Sequence, residues 1–317
     1  MVSLSQWLGV EELVMGRIVV VGSINMDLVA EVARMPRPGE TIVGSKVSHI
    51  PGGKGANQAV AASRTGVPTI MIGALGSDAF ADTLLEFLGS ERMDISLITR
   101  VEGSSGTALI TLDDSGENSI IIIAGANHLV STTTLSEFEF ASTDVLLLQN
   151  EVPEEINAHA ARCAQLSGAK VILNPAPYRR PSEEICQNTN ILVVNETEVS
   201  QLIDQPALSM TVHRIAELLA AGAGPVPGII VTLGSEGLLA RMDGEVIRVE
   251  GHRVQARDST GAGDCFCGTL AASIARGQGV LDALDYASAA AALSVQRLGA
   301  GPGMPYHDEI LEFLASH

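Results

Sequence analysis

The sequence predicts an α/β protein with a doubly wound, mainly parallel sheet flanked by helices and a small second sheet beside it. From residue 145 onward, short apolar strands alternate with helical segments, the order that produces parallel strands joined by crossover helices. The chain is 46% hydrophobic with only 3% aromatics and 32 glycines, which suits a buried sheet of aliphatic residues with glycine turns. Two β-rich stretches, at about 28–52 and 103–125, interrupt the alternation and predict the second sheet.

The first half of the chain contains the pieces of both sheets. Ile18-Val-Val-Val-Gly22 is a short apolar run closed by glycine, which is typical of a buried strand. Thr41–Ile50 alternates loosely and predicts a strand that ends at Pro51-Gly-Gly. The other expected elements here are helix Lys54–Arg64, strand Thr69–Gly76, helix Phe80–Leu88, and strands Thr107–Leu112 and Asn118–Ala124 joined by a turn at Asp113–Gly116.

The second half carries the regular alternation. Its expected strands are Val145–Leu148, Lys170–Leu173, Ile191–Val194 and Gly228–Leu233. Its expected helices are Glu154–Leu166, a short one after the proline-rich turn, further helices up to about Ala221, and two long ones near Gly261–Arg276 and Leu281–Gln296. No linker divides the chain, so residues 16–317 are interpreted as one domain, with residues 1–15 as an N-terminal extension.

Composition excludes several classes of function. The formal net charge of −18 disfavours binding to nucleic acid or to an anionic membrane surface, and no apolar run approaches the length of a membrane helix. The four cysteines form neither a zinc motif nor a disulfide framework. Free thiols fit a reducing compartment, so a cytoplasmic location is expected.

The strongest chemical motif is Asp258-Ser-Thr-Gly-Ala-Gly-Asp264, which is followed by a helix. Small residues at a helix start leave backbone N–H groups open to an anion, and the helix dipole adds partial positive charge there. The first-turn aspartate, Asp264, could take a proton from an attacking hydroxyl. An ordinary loop with an acidic first turn would give the same pattern, because aspartate is favoured at that position.

Polar residues also follow the first strand and the strand at 145–148, at the carboxyl ends where α/β sheets bind ligands. Asn25 and Asp27, two residues apart, could point the same way and bind sugar hydroxyls, although a routine turn explains them equally well. Glu151 is a lone carboxylate beyond the later strand. Gly52-Gly-Lys-Gly-Ala-Asn57-Gln lacks the spacing of a Walker A loop, but its glycines would admit a ligand and Lys54 and Asn57 would donate to it.

Two further segments could contribute to a phosphate site. Asn195 and Glu198 share one face of a helix start and could organise Mg²⁺ through water; a capping box is an equally good interpretation. Thr232-Leu-Gly-Ser-Glu-Gly237 is a glycine-rich turn after a strand, suited to nucleotide phosphates.

Together these motifs resemble the ribokinase family of sugar and nucleoside kinases, also called the PfkB family. The resemblance covers about Gly16–Leu314 and includes both family signatures, at 52–58 and 258–264. Gly22–Asp27, Ala124-Gly-Ala-Asn127, Asn174-Pro-Ala-Pro177 and Asn195–Glu198 are similar to the ribose-phosphorylating members. The resemblance implies ATP-dependent phosphorylation of D-ribose at O5, a β lid that also forms a homodimer interface, and the cofactors ATP, Mg²⁺ and a monovalent cation, usually K⁺.

The resemblance also implies residue roles. Asp264 would be the catalytic base, and Gly261, Ala262 and Gly263 would form the anion hole. The ribose-binding residues would be Asn25, Asp27, Gly53, Lys54, Asn57, Glu151 and Asp264. ATP would be held by Asn195, Glu198, Thr232, Gly234, Ser235, Gly237 and Gly263, with Glu198 reaching Mg²⁺ through water. The monovalent cation would be held, mainly through backbone oxygens, by Asp258, Thr260, Ser294, Arg297, Gly299 and Gly303.

Two alternatives remain open at this point. The substrate could be 2-deoxyribose, which differs by one hydroxyl, or another sugar or nucleoside. The chain could instead be a catalytically silent, sugar-binding regulator on the same fold, although the intact motif at 258–264 argues against that. A dinucleotide oxidoreductase is disfavoured because no G-x-G-x-x-G follows the first strand.

Asp264 is expected to be exposed and would then be a weak base. A weak base suffices for phosphoryl transfer, because the proton of the attacking hydroxyl leaves late.

Overall fold

The computed structural model describes residues 15–205 and 210–316. Within these residues, the main sheet has nine strands in the order β13-β12-β11-β10-β9-β8-β1-β4-β5. In chain order these strands are β1 Ile18–Val21, β4 Thr69–Leu75, β5 Ile98–Arg100, β8 Val145–Gln149, β9 Lys170–Asn174, β10 Ile191–Asn195, β11 Gly228–Thr232, β12 Leu238–Met242 and β13 Glu245–Val249. Pairing is parallel from β5 to β11, and β12 runs antiparallel to both neighbours. The predicted fold class is thereby confirmed.

The central strands are apolar throughout because both faces of the sheet are covered. Ile18 and Val20 of β1 belong to the core on one face, whereas Val19 and Val21 belong to the core on the other. All four are fully buried. Strands buried on both faces lose the polar alternation of a half-exposed sheet, which is why these segments read as continuous apolar runs.

Helices cover the two faces. The helices are α1 Lys54–Arg64, α2 Ala79–Ser90, α3 Thr132–Glu137, α4 Glu154–Leu166, α5 Glu183–Gln187, α6 Glu196–Leu202, α7 Val212–Ala220, α8 Ala262–Ala275, α9 Val280–Ser294, α10 Ala300–Gly303 and α11 His307–Ser316. Two of these, α1 and α8, pack closely on one face through small residues; a Cβ built on Gly268 would lie 2.4 Å from the Gln58 carbonyl oxygen. None of the described helices is long and apolar enough to cross a membrane.

The second sheet has four strands in the order β3-β2-β6-β7. They are β2 Asn25–Val32, β3 Lys46–Gly52, β6 Gly106–Asp113 and β7 Asn118–Ile123. Strand β2 begins four residues after β1 ends, and β3 leads directly into α1 through Gly53. The second sheet therefore stands at the carboxyl ends of the main strands.

The chain order places a topological switch between β1 and β8. Strands β4 and β5 extend the sheet on one side of β1, while β8 to β11 extend it on the other. Ligands of open α/β sheets bind in the crevice at the carboxyl ends beside such a switch. The segments after β1 and β8 carry Asn25, Asp27 and Glu151.

Several elements differ from the expectations. The strand expected over Thr41–Ile50 begins only at Lys46, and the turn expected over 22–27 contains the start of β2. The hairpin β12–β13 was missed, although Asp243-Gly244 between them is a strong turn signal. Both residues have positive φ, 52° and 84°, as a two-residue type I′ hairpin requires. Residues 1–14 of the expected N-terminal extension lie outside the described residues.

Candidate active site

Asp264 lies in the first turn of α8 and is only 4% exposed. The expectation of an exposed aspartate is therefore wrong, because α1 packs its polar edge directly against this turn. The Asp264 carboxylate accepts hydrogen bonds at Oδ2 from Asn57 Nδ2 at 3.2 Å and at Oδ1 from Gln58 Nε2 at 3.1 Å. Lys54 Nζ lies 3.9 Å from Oδ1. The two signature motifs thus meet at one carboxylate.

Lys54 is the cation of this acidic site. Asp264 raises the pKa of the Lys54 ammonium, burial opposes that rise, and Glu151 and Glu198 add to it. The ammonium is therefore held charged, with 30% of its side chain exposed. A fixed cation beside a carboxylate can bind a second anion that approaches from the open side.

Carboxylates from β2 and from the segment after β8 lie near Lys54 and Asp264. Glu151 Oε2 accepts hydrogen bonds from Ser23 Oγ at 2.5 Å and from the Lys54 backbone N–H at 3.0 Å. Burial, together with the charges of Glu151 and Asp264, raises the pKa of Asp27 to about 7. Glu151 and Asp264 are thus close enough for their charges to act on the Asp27 carboxyl.

Asn25 is fixed by a residue of the Ala124–Asn127 motif. Asn127 Nδ2 donates to Asn25 Oδ1 at 2.7 Å, and Asn127 Oδ1 accepts from the Ile24 N–H at 2.9 Å. Both asparagines are buried. The sequence singled out Asn127 only as part of a resemblance; the structure gives it the task of orienting Asn25 at the start of β2.

Glycine at position 53 lets α1 start against the end of β1. Gly53 has φ +91° and is the N-cap of α1, a conformation that L side chains rarely adopt. A Cβ built on it would lie 2.7 Å from the Asn25 backbone nitrogen. The backbone at Gly53 is therefore brought beside Asn25, and Lys54 and Asn57 follow on the first turn of α1.

The start of α8 has the form of an anion site. Gly261 is the N-cap, with φ +78°, and a Cβ built on it would lie 2.6 Å from Ala300 Cβ. A Cβ built on Gly263 would meet no atom within 4 Å, so the space beside this helix turn is open. The first N–H groups of a helix lack intrahelical partners and favour negative charge.

Two cavities share this helix start. One, of about 220 Å³, is lined by Lys54, Asn174, Ala176, Val193, Val194, Asn195, Glu198, Thr232, Ser259 and Gly261–Asp264. The other, of about 650 Å³, is lined mainly by Thr232, Gly234, Ser235, Gly237, residues 251–254, Ala262, Gly263, Phe266 and residues of α9. A small polar cavity continues into a larger, mostly apolar one, an arrangement that suits phosphates followed by a nucleoside.

Asn195 and Glu198 form the capping box that the sequence left as an alternative. Asn195 Oδ1 accepts from the Glu198 N–H at 2.8 Å, and Glu198 Oε2 accepts from the Asn195 N–H at 2.9 Å. Both residues also line the small cavity. Burial raises the pKa of Glu198, with hydrogen bonding to Asn195 and the charge of Lys54 opposing the rise. A cation in this cavity would favour the ionised carboxylate.

The residues expected around a monovalent cation come together in two adjoining loops. Asp258 accepts from the Thr260 N–H at Oδ1 and from the Gly299 N–H at Oδ2, each at 2.9 Å. These bonds hold the pKa of Asp258 below its usual range, against the effect of its burial. A Cβ built on Gly303 would lie 3.5 Å from Arg297 Cβ and 3.8 Å from the Ser294 carbonyl oxygen. The guanidinium of Arg297 pairs with Glu309 instead, so only its backbone could contribute.

The donor set in these loops fits a weakly binding cation. Among residues 15–205 and 210–316, no group of three or more His, Cys, Asp and Glu side chains could hold a metal ion. Backbone carbonyl oxygens and water would therefore have to supply most ligands, which suits a monovalent ion better than a transition metal.

Two cysteines beside Asp264 on α8 are packing residues. Cys265 and Cys267 are fully buried, and burial raises the pKa of the Cys265 thiol to about 12 and that of Cys267 well above its usual value. Thiols held protonated are poor nucleophiles and resist oxidation.

Comparison with known proteins agrees with this geometry. The family described as pfkB family carbohydrate kinase matches residues 15–306. The ribokinase of Lactococcus lactis is 36% identical over 300 residues, covering 93% of this chain and 96% of that protein. The deoxyribokinase of Salmonella typhi is 33% identical over 302 residues, covering 94% and 98%. The solved structure of Arabidopsis thaliana ribokinase complexed with ribose and ATP superposes with a TM-score of 0.84 at 33% identity, covering 94% of this chain and 98% of that one. This chain therefore belongs to the PfkB family of carbohydrate kinases.

Proposed function

We propose that this protein phosphorylates D-ribose at O5 with ATP, giving ribose 5-phosphate and ADP. One observation carries the proposal: the buried Asp264 carboxylate lies in the first turn of α8, lines the small cavity, and is close enough to Asp27 to raise the pKa of that carboxyl. An acceptor hydroxyl held near Asp27 and a phosphoryl donor in the cavity could therefore meet beside Asp264. The 36% identity to the ribokinase of Lactococcus lactis supports ribose as the acceptor.

Asp264 would act as the base. Asn57 and Gln58 donate to its two oxygens, so the carboxylate is oriented and retains lone pairs that can accept the proton of a sugar hydroxyl. In phosphoryl transfer the proton leaves late, and catalysis depends chiefly on positioning and on stabilising charge. A carboxylate held in a fixed position is sufficient for that task.

The developing charge on the transferred phosphoryl group would be met by α8 and Lys54. Gly261, Ala262 and Gly263 supply the helix start, and the open space at Gly263 leaves room for equatorial oxygens. Lys54, held charged by its acidic neighbours, adds a cation on the other side. Preorganised donors of this kind need no reorganisation during the reaction.

The remaining pocket residues would hold the two substrates. Ribose would be bound by Asn25, Asp27, Gly53, Asn57 and Glu151. Thr232, Gly234, Ser235 and Gly237 line the larger cavity, and the nucleoside of ATP would lie there. Asn195 and Glu198 would hold Mg²⁺ through its water shell, and this ion would neutralise phosphate charge when bound.

A monovalent cation such as K⁺ would be held by backbone oxygens of the 258–260 and 294–303 loops. The support is geometric: Asp258 ties the two loops together through Thr260 and Gly299, and the second loop adjoins Gly261 through Ala300. A cation there would order the segment from which the anion hole is built.

The second sheet would act as a lid and as a dimer interface. Four consecutive isoleucines on its edge strand β7, Ile120–Ile123, are 43–61% exposed. Exposed apolar patches of this kind mark association surfaces, and an uncovered apolar edge strand invites pairing with another chain. We propose a homodimer in which two copies cover these residues.

A cytoplasmic location fits this activity. All four cysteines are free thiols, Cys163, Cys186, Cys265 and Cys267, as expected in a reducing compartment.

A second candidate function is phosphorylation of 2-deoxyribose. The deoxyribokinase of Salmonella typhi matches nearly the whole chain at 33% identity. The two sugars differ by one hydroxyl, and a site built to hydrogen-bond that hydroxyl would reject the deoxy sugar strongly.

The test is ADP release with ATP, Mg²⁺ and K⁺, comparing ribose, 2-deoxyribose, fructose and adenosine at equal low concentrations. The highest kcat/KM with ribose is expected. A higher value with 2-deoxyribose would move the assignment to the second candidate. Tight ribose binding without any ADP release would contradict both and favour a silent sugar-binding regulator.

A further inference from the structure

Two glutamines stand in line behind the Asp264 carboxylate, and both are fully buried. Gln58 Nε2 donates to Asp264 Oδ1 at 3.1 Å. Gln149 Nε2 in turn donates to Gln58 Oε1 at 2.7 Å. Gln149 is the last residue of β8, so a strand end of the main sheet is connected through α1 to the first turn of α8.

We propose that Gln58 and Gln149 are positioning residues for the phosphoryl transfer: Gln149 fixes which way the Gln58 amide faces, and Gln58 holds the Asp264 carboxylate at the angle the reaction needs. This inference rests on the proposed role of Asp264 as the base. It concerns side chains that line neither cavity described above and act only through Asp264.

Hydrogen-bond chemistry allows this chain of contacts in one direction only. An ionised carboxylate accepts but cannot donate, so Gln58 must turn its NH₂ group toward Asp264. The carbonyl oxygen of Gln58 then faces Gln149, which must donate a hydrogen bond from its own NH₂ group. If Gln149 presented an acceptor instead, the Gln58 amide would rotate to donate to it. The Gln58 oxygen would then face the Asp264 carboxylate, where it cannot form a hydrogen bond.

The hydrogen-bonded chain Gln149–Gln58–Asp264 is called the relay below. Gln149, at its far end, is held by neighbouring residues. The Gln149 backbone oxygen accepts a hydrogen bond from the buried Asn157 Nδ2 at 2.7 Å. On the other side, a Cβ built on Gly22 would lie 2.0 Å from Gln149 Oε1, so the absence of a side chain at Gly22 makes the space that Gln149 occupies. The backbone of Gln149 is thus held in place, and its side chain lies in the space left open beside Gly22.

A packing role alone does not account for two amides here. Gln149 Oε1 is buried without a hydrogen-bond partner among the described residues, and an unsatisfied buried polar atom costs about 1–3 kcal/mol. Apolar side chains at both positions would fill the same volume without an unpaired amide oxygen. The two glutamines therefore stabilise the fold less than apolar residues would. Their contribution is to orient Asp264 Oδ1.

The test compares Gln58→Met and Gln149→Met with the wild type in kcat, in KM for ribose, in calorimetric ribose affinity and in Tm. We expect Gln58→Met to lower kcat by roughly 10- to 100-fold, the scale of a misplaced catalytic group. KM for ribose and ribose affinity should change less than about threefold, because Asn57 and Lys54 remain. Tm should not fall. Gln149→Met should show the same split with a smaller loss, since Gln58 can still donate but is no longer held.

A sharper variant is Gln149→Glu, which keeps the shape of the side chain. Its carboxylate, when ionised, would accept from Gln58 and turn the Gln58 oxygen toward Asp264, so kcat should fall further than in Gln149→Met. The matched control is Gln165→Met, which removes a side chain that donates to Asn190 Oδ1 at 2.7 Å away from the site; its kcat should equal that of the wild type.

The outcomes separate the relay from the function on which it rests. Wild-type kcat in both Gln58→Met and Gln149→Met would overturn the relay, as would losses that appear in KM or in Tm rather than in kcat. Should Asp264→Asn abolish turnover while Gln58→Met is normal, only the relay fails. Should Asp264→Asn itself retain turnover, the proposed base and the relay fail together.

Discussion

Asn57 Nδ2 donates a hydrogen bond to Asp264 Oδ2 at 3.2 Å across 207 positions of sequence. This contact joins the two motifs that are most informative in the sequence, one at the start of α1 and the other at the start of α8. Gln58 and Lys54 reach the same carboxylate. The second motif supplies the carboxylate and the first supplies the side chains that orient it, so the proposed base depends on both motifs.

Replacing the base tests the mechanism most directly. Asp264→Asn keeps the shape of the side chain but removes the proton acceptor, and kcat should fall by about 10²–10⁴, the usual scale for a positioned base. Calorimetric ribose affinity should change far less than kcat. The surface variant Asp114→Asn, in a hairpin turn, serves as the control. Near-normal turnover in Asp264→Asn would disprove the assignment.

The anion hole can be tested by filling it. Gly263→Ala should fold normally, since its Cβ would meet no atom within 4 Å, yet the methyl group would occupy the space proposed for the phosphoryl group. We expect kcat to fall by roughly 10- to 1000-fold, comparable to the loss of an oxyanion donor, at unchanged Tm. Gly279→Ala, at the N-cap of α9, is the matched control and should retain activity. Equal activity in both variants would show that the space is not used.

The raised pKa of Asp27 predicts a dependence of stability on pH. Because its pKa is about 7 in the folded chain against 3.8 for the free side chain, the folded state binds the proton more tightly. The contribution of Asp27 to the free energy of unfolding is therefore largest below about pH 4 and is lost as pH rises to about 7. Asp27→Asn should raise the free energy of unfolding at pH 8 by on the order of 1–3 kcal/mol, while ribose turnover falls.

Urea unfolding at pH 5 and pH 8 measures this effect. The difference between Asp27→Asn and the wild type should shrink toward pH 5. Asp114→Asn, on the exposed hairpin, should show no such difference. A constant gain at both pH values would contradict the titration of Asp27.

The dimer interface is tested on β7. Ile121→Lys places a charge on a side chain that is 61% exposed, so it should not disturb the protomer, but it should prevent two copies from covering Ile120–Ile123. Sedimentation should then report a monomer at concentrations where the wild type is a dimer. Leu166→Lys, at a leucine that is 83% exposed on α4, should leave the dimer intact. A wild-type chain that sediments as a monomer would reject the interface.

The cation site is tested by exchange of the salt. Replacing K⁺ with tetramethylammonium at constant ionic strength should lower kcat by at least tenfold, because an ion of that size cannot enter a ring of backbone oxygens. Refilling with K⁺ should restore the rate. Unchanged activity in the organic cation would reject a monovalent cation site at the 258–260 and 294–303 loops.

Much of the architecture could be predicted from local pattern. Helix α1 occupies Lys54–Arg64 as expected, and the alternation after residue 145 gave the parallel sheet, because burial on both faces produces apolar runs of a distinctive length. The hairpin β12–β13 was missed, since its strands lie at the sheet edge, where alternation is weak; Asp243-Gly244 was the signal that could have found it. A turn was an equally good interpretation of the start of β2 because Asn25 and Asp27 are polar, whereas the structure places Asn25 in the interior and Asp27 half-buried on an extended strand.

What the sequence alone determined was the chemical inventory: which residues could act as base, anion hole, cation and sugar ligands, and the order in which they occur. Only the tertiary structure decided their environment. It buried Asp264, paired Asn25 with Asn127, made Asn195 and Glu198 a capping box, and placed Gln58 and Gln149 in line behind the base. The physical reason is that hydrogen-bond direction and pKa depend on neighbours brought from distant parts of the chain, and packing fixes those neighbours.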